Sequence, residues 1–400
     1  MSKVFIEETT LTAIGDAIRA KEGTTELVPV SDMATRITAI SGGGEGGYEP
    51  PEEAFNLTGN CTYRFAYGGW DWFIEDFGSR ITTSGITNSS YMFEKSQITN
   101  IPFDINYSGS SDCTNMFDAC YFLTSIPAID FKQTSYKDLK YMFNSCESLT
   151  SIGELSNLYP SAMNNMFSYC HRLRELPKFT NLNLTRVNAY NYAGASQMFR
   201  GCYSLRSIPE DFLQQFNQAT TNASNHFLYY LCNSNYVLDE IRGLKTGTGT
   251  ITSNMFSNTF NGCYRLKDII FYTNDDGTVQ QARWSNQTID LTNCGAGTVT
   301  AMTIYNSGIT EDKEVKDDAT YQALKNDPDW FATSEAYSRY NHDSAVNTIN
   351  SLPDTTIYAT NNVIKFRGEA GSLTDGGAIN TLTEEEIAVA TAKGWTVTLV

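Results

Sequence analysis

The residues able to do chemistry here are nine cysteines, three histidines and a few acidic pairs, and their spacing decides what chemistry is open to them. There is no Cys-x-x-Cys, and His171, His226 and His342 are dispersed, so no zinc site can be assembled from them. Six cysteines (Cys120, Cys146, Cys170, Cys202, Cys232 and Cys263) fall at one position of a recurring motif. They read as a column of small buried thiols, reduced if the chain folds in a cytoplasm, with disulfides as the alternative. Glu75 and Asp76 are adjacent acids, and adjacency does not set two carboxylates across a glycosidic bond. Asn274–Asp276 offers three oxygens, a turn in the simpler reading and a calcium site in the other. The tract Ser41–Pro51 is rich in glycine but lacks the Lys-Ser/Thr pair of a phosphate-binding loop. No Ser–His–Asp or Cys–His constellation can be built either. The expectation is a protein that is not an enzyme and that needs no cofactor and no metal.

The elements that position these residues come from the motif itself. NMFDACYFLTSIP at Asn115–Pro127 returns at Tyr141–Ile152, Asn165–Pro177, Gln197–Pro209 and Thr259–Ile270. Its frame is an aromatic, a Cys three residues on, then Leu and Ile or Leu at further steps of three. The five sets are Phe117, Cys120, Leu123, Ile126; Phe143, Cys146, Leu149, Ile152; Phe167, Cys170, Leu173, Leu176; Phe199, Cys202, Leu205, Ile208; and Phe260, Cys263, Leu266, Ile269. Two degenerate copies extend the array. Tyr91–Pro102 has Ser96 at the Cys position and one residue fewer before its Ile; Tyr229–Ile241 keeps Tyr229 and Cys232 and reads as inserting three residues before Leu238. Successive aromatics lie 24 to 32 residues apart. A fixed frame with elastic spacing is the mark of stacked repeats whose insertions go into loops. Phe and Cys, one helical turn apart, would face inward from a short helix or 3-10 turn, and Leu-Thr-Ser-Ile would be a short strand ended by proline.

This pattern resembles the BspA-like leucine-rich repeats, closest in its Met-Phe opening to their bacterial and mycoplasma surface-lipoprotein variant. The resemblance covers about Phe65 to Ile270. It implies an α/β solenoid, with a short strand plus a short helix or 3-10 turn per rung, used for adhesion and recognition. An N-terminal helical tether and a mixed α/β C-terminal cap complete the expected fold.

Four segments follow. Residues 1–41 hold two short amphipathic helical patterns, Leu11/Ile14/Ile18 and Met33/Ile37/Ile40, too small for a core of their own. This part resembles N-terminal modules of phage tail and fibre-like proteins, which implies attachment to other virion proteins or oligomerisation. Residues 42–52 are a Gly/Pro linker. The repeat region spans 53–309 and a C-terminal cap 310–400. Within them, IIFYTNDDGTVQQARW reads as a β-hairpin, QTIDLTNC and VTAMTIYNSG as strands, and EDKEVKDD as a solvated loop or helix start. In the cap, HDSAVNTINSLPD reads as a helix, Val363–Phe366 as a strand, TLTEEEIAVATAKG as a helix capped by Thr383 and Glu386, and WTVTLV as a final strand. This ending resembles terminal caps of phage and gut-bacterial repeat proteins.

Three sets of side chains are candidates for recognition. The residue after each cysteine gives a row of Tyr121, Glu147, His171, Tyr203 and Tyr264; the residues between Leu and Ile give another that includes Arg174 and Arg206. Trp70 and Trp72 lie in an aromatic-dense stretch that either seals the first repeat or stacks on sugar rings. In each case the alternative is a covered or solvated surface.

Charged residues make up 18% of the chain, against about a quarter in typical domains. The net charge of −17 weighs against nucleic acid or an anionic membrane as a main partner. No apolar run approaches the roughly 20 residues of a membrane span, so no membrane insertion is expected. The first residues carry no apolar signal-peptide region, which places synthesis in a cytoplasm. Together with the resemblances, this leads to an expected phage virion protein made in the host cytoplasm and acting outside it. Its role would be a tail-fibre or receptor-binding adhesin for a bacterial surface glycan or protein. The competing readings are a head fibre, decoration or tail accessory protein packing on its neighbours, and a bacterial surface adhesin. A homotrimer, usual for phage fibres, stays open, since no heptad or collagen-like stretch specifies one.

Overall fold

Two backbone positions shape each repeat. In the copy beginning at Asn115, that residue and Ala119 both take the left-handed conformation, with φ of 55° and 57°. The same pair, four residues apart, recurs as Tyr63/Tyr67, Tyr91/Lys95, Tyr141/Ser145, Asn165/Tyr169, Gln197/Gly201, Tyr230/Ser234 and Asn258/Gly262. A left-handed residue interrupts a right-handed helix, so the segment runs instead as successive turns. Alternate amides close turns within the copy: Met116 N donates to Cys113 O, Asp118 N to Asn115 O and Cys120 N to Phe117 O. The amides between them reach the next copy: Asn115 N to Lys140 O, Phe117 N to Met142 O and Ala119 N to Asn144 O, at 2.8–2.9 Å.

These features come from a computed structural model, which describes residues 56–68, 81–101, 105, 107–132, 136–184, 194–214, 228–244, 250–251, 254–263, 266, 268–294, 301–306, 309–314, 330–331, 341–358, 361–367 and 382–400. The chain divides into two units, Met1–Asn56 and Leu57–Val400, and the described residues other than Asn56 belong to the second. The expected tether over 1–41, the linker over 42–52, Trp70, Trp72, Glu75, Asp76, His226 and Tyr264 lie outside the described residues.

The expected α/β solenoid of leucine-rich-repeat type is corrected by this backbone. The described residues form mostly short parallel strand pairs, and the Phe-x-x-Cys segments are turns where a helix or 3-10 turn per rung was expected. Three α-helices occur among them: α1 (Glu210–Gln214), α2 (His342–Ser351) and α3 (Glu384–Ala392). Only α1 lies between repeats. The physical reason is the left-handed pair, which turns every second amide out of its own segment and toward the neighbouring copy.

Short strands extend the register set by the turns. Ser125–Ile126 pairs in parallel with Ser151–Ile152. Ile129–Asp130 pairs with Leu155–Ser156, and that strand with Phe179–Thr180. Lys137–Asp138 pairs with Pro160–Ala162, and Glu240–Leu244 with Asp268–Phe271. Inside, the frame's phenylalanines stack: Phe65, Phe93, Phe117, Phe143 and Phe167 follow at centroid spacings of 5.1, 5.2, 5.4 and 5.5 Å, and Phe199 at 6.1 Å. Such ring pairs add about 0.5–1.5 kcal/mol beyond the apolar area they bury. Of the twenty frame residues, Ile152 and Leu176 are half-buried and the rest are buried.

The expected insertion in the Tyr229 copy is also corrected. The left-handed pair there is Tyr230/Ser234, so Cys232 occupies the phenylalanine position and Asn235 the cysteine position. Cys232, Asn235, Leu238 and Ile241 then follow at steps of three with nothing inserted. The bond from Cys263 Sγ to Cys232 O, 3.0 Å, repeats the Cys-to-Phe contact of the other copies. Asn235 is buried, and neither its side-chain Nδ2 nor its Oδ1 has a hydrogen-bond partner.

Beyond the repeats, the expected hairpin reduces to its turn. Asn274 N donates to Thr278 O, Gly277 takes φ 81°, and one antiparallel bridge joins Thr273 to Val279. Arg283–Trp284 pairs instead in parallel with Thr250–Ile251. The acidic run expected as a loop or helix start begins in a strand, Ile309–Glu314, antiparallel to Ala301–Asn306. Thr288–Asp290, Asn362–Phe366 and Trp395–Leu399 form a parallel sheet. The capping box of Thr383 and Glu386 starts α3, and Gly394, at φ 81°, follows its end.

Candidate functional site

Two rows of side chains run across the turn segments. The first is the residue after each cysteine position. His171 and Tyr203 lie face to face with centroids 4.4 Å apart and ring planes 5° apart. The corrected register adds Tyr236, stacked on Tyr203 at 4.7 Å and 9°. Glu147 Oε2 lies 3.9 Å from His171 Nδ1. Burial lowers the His171 pKa, opposed by Glu147, and burial raises that of Tyr203. His171 Nε2 is buried with no hydrogen-bond partner. The rings spend their faces on one another, which leaves edges for a ligand. Tyr121, the first candidate in this row, is 45% exposed beside Phe122 at 56%.

Arg174 and Arg206 are half-buried and neighbours on stacked copies, Arg206 N donating to Arg174 O at 3.1 Å. The Nε and Nη2 of Arg206 are buried without hydrogen-bond partners.

The second row is the first left-handed residue of each copy, directly before methionine in most of them. Tyr141, Asn165, Gln197 and Tyr230 belong to it, and with Lys140, Asn164, Arg200 and Tyr229 they line a groove of about 620 Å³. Asparagine tolerates the left-handed conformation through local side-chain hydrogen bonding, whereas a bulky tyrosine there is a steric outlier. Tyr141 at φ 56° and Tyr230 at φ 54° are such outliers. The ladder of amides to the next copy holds them, and strain of this kind collects at functional positions.

Arg200 sits at the centre of this row. Its Nη1 donates to Gln197 Oε1 at 2.8 Å. Its guanidinium carbon lies 5.5 Å from the Tyr169 ring centroid and 5.2 Å from that of Tyr230, rings from the preceding and following copies. Gly201 makes room for Tyr169, since a Cβ there would meet Tyr169 Cδ1 at 2.7 Å. Lys140 is paired with Asp138 at 2.9 Å. Asn164 is 6% exposed, and its Oδ1 accepts no hydrogen bond. The groove therefore offers a fixed cation, amides and tyrosine rings across four successive copies, a set suited to polar recognition.

None of these groove residues was among the expected ligand contacts. The signal was the run of Tyr91, Asn115, Tyr141, Asn165 and Gln197 ahead of each methionine, a polar row on an otherwise apolar motif.

The cysteines do a separate job. In four successive copies the Sγ donates to the phenylalanine carbonyl of the preceding copy: Cys120 to Phe93 O at 3.0 Å, Cys146 to Phe117 O at 3.1 Å, Cys170 to Phe143 O at 3.2 Å and Cys202 to Phe167 O at 3.0 Å. Ser96, at the cysteine position of its copy, donates its hydroxyl to a different carbonyl, that of Gly68 at 3.2 Å. Burial pushes the Cys202 and Cys263 thiols up to about 12, far from a reactive thiolate. All nine cysteines are free. Among the described residues no three His, Cys, Asp or Glu side chains gather as metal ligands.

No family model, curated protein or solved structure matches this chain.

Proposed function

We propose that this chain is a receptor-binding protein of the phage tail-fibre type, which recognises a glycan on a bacterial surface. The observation that carries the reading is the groove across the copies of Tyr141, Asn165, Gln197 and Tyr230. Its amides and guanidinium suit sugar hydroxyls, and its tyrosine rings suit the apolar face of a pyranose. The virion context rests on the N-terminal resemblance to phage modules, and residues 1–41 would supply the attachment to other virion proteins.

The test is saturable binding of labelled full-length chain to bacterial cells, before and after periodate oxidation of their surface sugars. Binding lost on oxidation is the expected result. Binding that survives oxidation would point to a protein receptor.

A second reading, a structural virion protein that packs on its neighbours, draws on the adjacent exposed aromatics Tyr121 and Phe122. It predicts no cell binding, together with cross-linking of Tyr121 to another virion protein.

A further inference from the structure

The proposed function leaves open which sugars the groove selects, and Arg200 bears on that choice. Cations with carboxylate partners are common on this acidic chain. Lys140 pairs with Asp138, Lys132 with Asp130, and Arg242 with both Glu240 and Asp268. Arg200 has no carboxylate within ion-pair distance among the described residues, although the chain carries a net charge of −17. Its only hydrogen bond in the groove goes to the neutral amide of Gln197. The rings of Tyr169 and Tyr230 flank the guanidinium at 5.5 and 5.2 Å. Among the described residues, no other acceptor takes its remaining guanidinium N–H donors, which are open to an incoming acceptor.

Asn164 is the second observation. Its side chain is more than nine-tenths buried, it lines the same groove, and its Oδ1 accepts nothing. A buried amide oxygen left unpaired costs about 1–3 kcal/mol.

From the Arg200 geometry we infer that the groove binds an anionic saccharide, with a carboxylate or phosphate of the sugar on Arg200. The inference rests on the glycan-binding reading and specifies its ligand. A planar guanidinium pairs with carboxylate and phosphate through two parallel hydrogen bonds. The acidity of the whole chain favours a sparsely charged polymer, with one anion per repeat unit, over a dense polyanion such as nucleic acid.

The experiment is binding of the full-length chain to an array of neutral, uronate-bearing, sialate-bearing and phosphate-bearing oligosaccharides, with each uronate also present in carboxyl-reduced form. The expected hits carry carboxylate or phosphate, and which of the two dominates identifies the anion. Carboxyl reduction, or Arg200→Gln in the protein, should weaken a hit by about tenfold or more. Arg200→Gln should melt within a few degrees of wild type, and Arg200→Lys should bind with intermediate strength. Hits that are all neutral, or that carboxyl reduction leaves unchanged, would overturn the anionic preference and leave the glycan reading standing. An array with no hits, for a chain that binds cells in a periodate-sensitive way, would overturn the assignment of these anions. No hits and no cell binding would overturn both readings.

Discussion

The residue after each cysteine position and the residue before each methionine ride on the same turn segments, yet they use their side chains in opposite ways. In the first row His171, Tyr203 and Tyr236 press ring on ring at 4.4 and 4.7 Å, so their ring faces are covered within the protein, although His171 Nε2 is buried without a hydrogen-bond partner. In the second row Tyr141 and Tyr230 are held in a conformation that costs energy, around a guanidinium with donors to spare and an amide oxygen without a partner. A row whose ring faces cover one another contributes stability. On the proposed function, the strained and unsatisfied row is the one that binds. The difference shows that a repeating line of aromatic and charged residues does not by itself mark a recognition face.

The largest expected effect strikes the base both rows share. Phe143 is fully buried in the central stack, and Phe143→Ala should lower stability by about 3–5 kcal/mol by leaving a cavity. Chemical denaturation reads this directly, and a near-wild-type midpoint would contradict the stacked core.

Next comes a pair of substitutions that separates the rows. Tyr203→Ala removes the middle ring of the first row and should cost about 1 kcal/mol of stability, with glycan binding unchanged. Tyr141→Asn replaces a strained tyrosine by a residue at ease in the left-handed region. It should gain up to about 1 kcal/mol while weakening binding. Loss of stability in Tyr141→Asn would show that the tyrosine serves the fold and not a ligand.

The smallest effect is a pH dependence with opposite signs in two places. Burial holds His171 below its ordinary value, so its contribution is full above about pH 6.5 and is lost as pH falls through that range. His171→Phe, which keeps the stack, should flatten this loss. At His342 burial works downward, but hydrogen bonds to Asp343 and Glu386 outweigh it and raise the pKa. Its contribution is present at low pH and lost as pH rises through the raised value, so His342→Gln should destabilise the chain more at pH 5 than at pH 8. Denaturation midpoints of the two variants across this range would show slopes of opposite sign.

The sequence carries these features unevenly, for physical reasons. Steps of three between Phe, Cys, Leu and Ile specify a common inward face, but a helix, a 3-10 turn and a run of tight turns all satisfy that spacing. What separates them is the left-handed backbone at Asn115 and Ala119. Asparagine hints at it, while tyrosine at the same position in Tyr141 argues against it on steric grounds. The same ambiguity misplaced Cys232: Tyr229 looks like the frame's aromatic, although Tyr230 is the residue that matches Tyr91 and Tyr141. With the register shifted, Tyr236 disappeared from its row. The polar row before methionine was visible as residue types, but its strain and the setting of Arg200 between Tyr169 and Tyr230 appear only once neighbouring copies are stacked.

The most direct test of the central claim sets Arg200→Gln beside Tyr203→Ala in one titration against surface polysaccharide from a bacterium that the wild-type chain binds. Loss of binding in Arg200→Gln with binding intact in Tyr203→Ala is the predicted result. Binding intact in Arg200→Gln and lost in Tyr203→Ala, with both variants folded, would contradict the account and move the recognition face to the histidine–tyrosine row.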